Sequence, residues 1–304
     1  MATSKQQYAK ILAAIAKRHD NLDNQTIRRM NSLLQETRKG IGEALLANPS
    51  AFELSRLTRL QASVNTLVAQ FQSELNTSLR ASFSDAMTLG QASVIEPLQA
   101  IGVRGEFNVL PPQQLNVALD FSAALVKNIS DDLRNTIDKE LRMTMLAQKS
   151  PFQAMKDITK ALGAQAQDGI WGRRRPEVVK GVAARAEAIV RTELTRMYNL
   201  ASNSQQQQTA QIVPGLLKRW IATGDAPTRP SHLAAHRYYA KNPIPIDQPF
   251  EVGNAQLMYP GDPTGPAEET IYCRCTQATI VPEVGVVGTP LDVRVEKELQ
   301  RRKK

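Results

Sequence analysis

Through most of residues 1–200, apolar side chains recur at three- and four-residue steps, a period that predicts α-helix rather than strand. Tyr8, Ile11, Leu12 and Ile15 open a stripe that Ile27, Met30, Leu33, Leu34, Ile41 and Leu45 continue, and Asn48-Pro49-Ser50 stops it. Leu57, Leu60, Val64, Leu67 and Phe71 then alternate three- and four-residue steps, the spacing of a helix-packing seam. Such a seam closes a helical hairpin or small bundle within the chain, or accepts a helix from another subunit; an internal core is the expectation. Pro97, Gly102, Gly105 and Pro111-Pro112 mark a connecting loop. Beyond it Leu125, Ile129, Leu133, Ile137, Leu141 and Met145 define another long helix, from near Gln113 to Gln148. Ser150-Pro151 starts a short helix ending at Gly163, with Ser as N-cap and Pro at the first helical position. After a linker over 164–175, Pro176 opens a last long helix carrying Val179, Val182, Ala186, Ile189, Val190 and Met197 inward.

Past Pro214 the helical period is lost. Leu216–Ala222 and Thr270–Val281 read as strands. Between them Pro227, Pro230, Pro243, Pro245, Pro249, Pro260 and Pro263 forbid long regular elements. The expected fold class is therefore α+β: long amphipathic helices in the N-terminal two-thirds and a small, loop-rich α+β domain at the C-terminal end. We divide the chain into a helical region (1–163), a linker with a long connecting helix (164–214), a His/Cys domain (215–282) and a flexible basic tail (283–304).

Composition narrows the class. Aromatic residues make up 5% of the 304 positions, which suits helices packed by aliphatic side chains better than a dense β-sandwich. No apolar run reaches the roughly 18–20 residues that span a bilayer, so no membrane role is expected. The first twenty residues lack the apolar core of a signal peptide, and two cysteines one residue apart are no disulfide framework; both point to a reducing cytosol or a particle assembled there. The net charge of +9 arises mainly in the helical part and the extreme end. It is either an ordinary solvated surface or a surface for a polyanion such as DNA, with Arg173-Arg174-Arg175 and Arg301-Arg302-Lys303-Lys304 as candidate phosphate contacts.

The densest chemistry lies between Arg219 and Cys275. His232 and His236 are four apart, so one helical turn presents both imidazoles the same way. Cys273 and Cys275 are two apart, which on a strand gives both thiols one face. Together the four would complete a closed tetrahedral shell for structural Zn²⁺, a useful cross-link in a unit of about 70 residues with a limited core. The competing reading is buried thiols and surface histidines. A catalytic reading would set Asp225, His232 and Cys273 as acid, base and nucleophile, with Asp262 as a further carboxylate. Against it, no glycine-rich turn or helix start exposes the cysteine, and no phosphate-cradling motif or HExxH occurs.

The ordered set Trp220, Asp225, Thr228-Arg229-Pro230-Ser231-His232, Pro249-Phe250, Tyr259-Pro260 and Cys273-Arg274-Cys275, with Arg191-Thr192-Glu193 upstream, resembles the phage head morphogenesis family, the minor head proteins related to protein F of phage Mu. The likeness covers about residues 185–282; Arg237, where many relatives have glycine, departs from it, and the insert between Phe250 and the cysteines is long. The resemblance implies a minor capsid component in few copies, inside the head near the portal vertex. Its partners would be the portal protein, other head proteins and packaged double-stranded DNA. It implies roles in head assembly and in genome packaging or ejection. With no glycine-rich turn or helix start to activate the cysteine, no enzymatic activity is expected. The alternatives are a DNA-binding protein ejected with the genome and a hydrolase or toxin-like enzyme. Arg191, Glu193, Trp220, Asp225 and Arg229 are expected to be structural, with Arg191 and Glu193 pairing across to Asp225 or Arg229.

Overall fold

The computed structural model describes residues 4–47, 54–103, 112–146, 151–161, 182–282 and 290–303. The helical stripes become α1 (Ser4–Leu46), α2 (Leu54–Ala100), α3 (Pro112–Leu146), α4 (Pro151–Ala161) and α5 (Val182–Ile212). Their apolar faces meet in one core, with Met30, Leu33 and Ile41 of α1 against Val64, Phe71, Leu79 and Phe83 of α2, and Ile129, Leu133, Ile137 and Leu141 of α3 joining them. The seam on α2 is thus filled from within the chain, as expected. α2 runs through Pro97 to Ala100, where a connecting loop was expected. A proline in the last turn forfeits a single backbone hydrogen bond, and Ser93, four residues earlier, turns its hydroxyl onto the Gly90 carbonyl.

The crossing of α2 with α5 is close. A Cβ added at Gly90 would fall 2.1 Å from the Tyr198 carbonyl oxygen and 2.9 Å from the Ala201 Cβ. Ser93 and Ser202 hydrogen-bond across the same contact at 3.2 Å. α5 is buried on nearly all sides, because its other face carries the C-terminal region.

That region contains β1 (Leu217–Ile221), α6 (Pro230–Lys241), β2 (Ile244–Pro245), β3 (Phe250–Val252), β4 (Ala255–Leu257), α7 (Ala267–Thr270), β5 (Thr276–Ile280) and α8 (Pro290–Lys303). β1 is the centre of an antiparallel sheet ordered β2-β1-β5, in which Trp220 faces Gln277 and Ile221 faces Thr276. β3 and β4 form a separate hairpin. A second core gathers Trp220, Leu233, Tyr239, Phe250, Leu257, both cysteines and Val295. The two strands expected from the sequence are present, although the second is confined to Thr276–Ile280 and is preceded by α7 and a turn. The segment read as a flexible tail contains α8, started by Pro290 and anchored by Val295, which is fully buried. The fold is α+β as anticipated.

Candidate functional site

α6 begins where Arg229 is extended and Pro230 takes the first helical turn, so His232 and His236 both face inward. They then diverge. His232 Nδ1 lies 3.2 Å from Cys275 Sγ and 3.7 Å from Cys273 Sγ. His236 instead accepts the Ala222 N–H on Nδ1 at 3.1 Å, while its Nε2 stands 2.9 Å from an Asp292 oxygen. Three of the four expected ligands are therefore brought together and the fourth is not. The end of β1 and helix α8 claim His236, and neither contact is visible in the spacing of the histidines. The ligand atoms of His232, Cys273 and Cys275 all lie within 4.8 Å of one another, and all three residues are buried.

The cysteines sit in the irregular segment before β5 rather than on the strand itself. Cys273 and Cys275 nevertheless turn to the same side, within reach of His232, while Arg274 turns away to Asp225 at 2.8 Å. Tyr272, with φ of 59°, turns the chain into this segment from the left-handed region that non-glycine residues seldom adopt.

The other side of His232 is fixed by Glu269, a residue that the sequence reading missed. Its Oε2 is 2.8 Å from His232 Nε2 and accepts the Ser231 hydroxyl at 2.9 Å. The available signal was a carboxylate four residues before Cys273, on the same Glu-Glu-Thr-Ile-Tyr-Cys run. With a carboxylate on Nε2, one proton belongs there, and Nδ1 is the nitrogen that faces the sulfurs and would offer its lone pair to a bound metal. Trp220 meets the His232 ring edge-on at 5.3 Å and Phe250 packs on Trp220 in turn, so the imidazole cannot rotate freely.

Electrostatics follow from this packing. Burial works against a charged His232, yet the Cys273 sulfur and Glu269 overcome it and raise the imidazole to about 9. Cys273 is held well below the ordinary thiol value, by the hydrogen bond from Cys275 first and then by His232 against burial. Cys275 goes the other way, pushed up by burial and by its thiolate neighbour. Burial raises Glu269, but the hydrogen bonds from His232 and Ser231 outweigh it and lower the carboxyl. The cluster thus carries one thiolate beside an imidazolium when nothing is bound.

The other expected residues are structural contacts of a different kind. Asp225 accepts from Thr228 and Arg274, and Asp262 ties Thr264 and the Met258 N–H, so neither carboxylate reaches the cluster. Arg191 pairs with Glu187 at 2.9 Å and with Asp23 of α1, and Glu193 pairs with Arg196 at 2.7 Å; neither pairs with Asp225 or Arg229 as anticipated. Four- and three-residue spacing along α5 makes those partners nearer than any in the C-terminal region. Arg229 donates to the Ile271 carbonyl and so closes the loop that leads to the cysteines. Arg301 and Arg302 both pair with Glu298 at 2.8 Å, and Arg302 also donates to the Ala226 and Thr228 carbonyls at 2.8 Å. Arg173, Arg174, Arg175, Lys304 and the side chain of Lys303 lie outside the described residues.

Residues 128–278 match the family model described as Phage Mu protein F like protein, and over that stretch, about half of the chain, the protein belongs to this family. The match begins in α3, well upstream of the residues that carried the resemblance, and stops within β5, before α8. No curated protein and no solved structure matches the chain. Membership points to a phage head morphogenesis protein of a structural type, and hence to the virion. Among the described residues no helix is long and apolar enough to cross a membrane.

Proposed function

We propose that this protein is a minor component of a tailed-phage head, seated inside near the portal and assisting head assembly and genome packaging or ejection. Family membership over residues 128–278 carries the reading. The helical bundle would offer docking surfaces to the portal protein and other head proteins. The basic excess would meet packaged DNA, although Arg302 is largely engaged in holding α8 to its neighbours. The prediction is that the protein is present in purified, DNA-filled heads at far fewer copies than the major capsid protein and cross-links to the portal. Its absence from assembled heads by mass spectrometry would remove the assignment.

The C-terminal region is read as stapled by Zn²⁺ on His232, Cys273 and Cys275. The donor set supports this: two sulfurs and one nitrogen converge in a buried site, and Glu269 occupies the far side of the imidazole as outer carboxylates do for zinc-bound histidines. Bound there, the ion would supply folding free energy, with its fourth position not filled by any of the three protein ligands. Elemental analysis of the natively purified protein should give one zinc per chain, lost in Cys275→Ser. A metal-free native protein would leave the cluster a thiolate–imidazolium pair and nothing more.

A further inference from the structure

The path of the cysteine segment is dictated from outside its own domain. α5 presents Thr192, Asn199 and Gln206 at seven-residue intervals, which two helical turns bring back to nearly one line. Thr192 Oγ1 accepts the Tyr272 N–H at 3.0 Å. Asn199 Nδ2 donates to the Cys275 carbonyl at 2.9 Å. Gln206 Nε2 donates to Thr279 Oγ1 at 3.2 Å. The first two rungs fall one on each side of Cys273, at 272 and 275. Thr192, Asn199 and Gln206 are all buried, and the bonds from Asn199 and Gln206 are buried at both ends, while that to the Tyr272 N–H is partly buried. The rung at Tyr272 also holds the left-handed residue that turns Cys273 back toward His232.

We propose that Thr192 and Asn199 are positioning residues for the metal centre. They template the Cys273–Cys275 segment on α5, so zinc loading and docking of that segment against the helical bundle are a single equilibrium. This rests on the zinc reading above. Neither residue touches the ion; each acts through the backbone that carries the thiolates. Outer contacts of this kind typically change metal affinity about 10–100-fold when removed.

The test uses the full-length chain, with zinc affinity measured by competition against a chromophoric chelator and site geometry by the visible spectrum of the Co²⁺-loaded protein. Asn199→Leu should weaken zinc about 10–100-fold and alter the cobalt bands while keeping one ion per chain. Thr192→Val should do likewise, and Thr192→Ser, which keeps the acceptor, should restore both readouts. Gln206→Leu removes the rung farthest from the cysteines and should leave affinity and spectrum unchanged. Wild-type affinity and spectrum in both Asn199→Leu and Thr192→Val would overturn the inference while leaving the zinc reading intact. Equal weakening by Gln206→Leu would reduce it to a general loss of stability and overturn it as well. If Asn199→Leu does not fold, the Val and Ser variants at 192 decide alone. A wild-type chain that takes up neither zinc nor cobalt removes both readings.

Discussion

Substituting the two histidines of α6 should have different consequences, because their ring nitrogens serve different masters. His232→Ala removes a ligand atom and should abolish zinc uptake. His236→Leu should leave zinc at one per chain but strand the buried Ala222 N–H, for which a loss of about 1–3 kcal/mol is the expected scale in urea unfolding. Loss of metal in the second variant would restore His236 to the ligand set. The third histidine, which the sequence reading left without a role, is buried on α1 against Tyr198. Burial lowers His19 to about 4, while burial raises Asp23, one turn further on and opposed by Arg191, to about 6. The signs oppose. His19 contributes stability that is present above its ordinary value near 6.5 and lost as pH falls through about 4. Asp23 contributes stability that is present below its ordinary value near 3.8 and lost as pH rises through about 6. Each shift is worth about 3 kcal/mol at 1.36 kcal/mol per pK unit, so in the wild type they largely offset between pH 6.5 and 4. Asp23→Asn should therefore unfold more steeply on acidification than wild type, and His19→Gln less steeply, when urea midpoints are compared at pH 7, 5.5 and 4.5. Parallel profiles for all three proteins would contradict this balance.

At the scale of elements, the long helices were legible because their apolar period is their packing surface: Ile15 to Leu45 of the α1 stripe and Ile129 to Leu141 of the α3 stripe are buried. What the period cannot report is which helix crosses which, and there small residues decide. Gly90 lets α2 lie directly on the Tyr198 carbonyl, so Gly90→Ala should destabilise by about 1–3 kcal/mol or more, although alanine is the better helix former by about 1 kcal/mol. Thermal unfolding of that variant is a direct check, and a gain in stability would mean the crossing is looser than 2.1 Å implies. α8 was missed for the opposite reason. Its sequence is dominated by charge, with Val295 and Leu299 its main inward apolar contacts, and a lone apolar pair in a basic segment reads as tail. What holds it is Asp292, which receives Arg219 Nη1 and Nη2 at 3.1 and 3.2 Å from the middle of β1. Arg219 is almost wholly buried, so Asp292→Ala would leave a charge without its carboxylate and should cost about 3–5 kcal/mol. The cysteine pair and His232 were legible from residue type and spacing alone. Glu269 and the true place of His236 were not, since both depend on chain segments that only tertiary structure brings near α6.

For the whole molecule, α5 joins the bundle core to the C-terminal region. α5 lends Val190, Leu194, Met197 and Ala201 to the bundle and, from its other side, Thr192, Asn199 and Gln206 to the cysteine segment and β5. α1 adds a second tie, from the Tyr8 hydroxyl to the Thr279 carbonyl. A sequence reading that places a boundary near residue 214 describes where the texture of the chain changes, because composition records local order. It does not describe where cooperativity ends, which depends on contacts across that boundary. With α5 shared in this way, unfolding of the C-terminal region strips α5 of the partners of Thr192, Asn199 and Gln206, and the chain should melt as one unit. A Trp171→Phe protein leaves Trp220, at the heart of the second core, as the sole indole reporter. Its fluorescence and the far-ultraviolet helical signal should then follow one coincident transition in urea. Free zinc at about a hundred times its dissociation constant should move both probes together, by a stabilisation of about 2.7 kcal/mol. An early fluorescence transition with the helical signal unmoved would show a detachable C-terminal domain, and would take with it the claim that α5 sets the geometry of the metal centre.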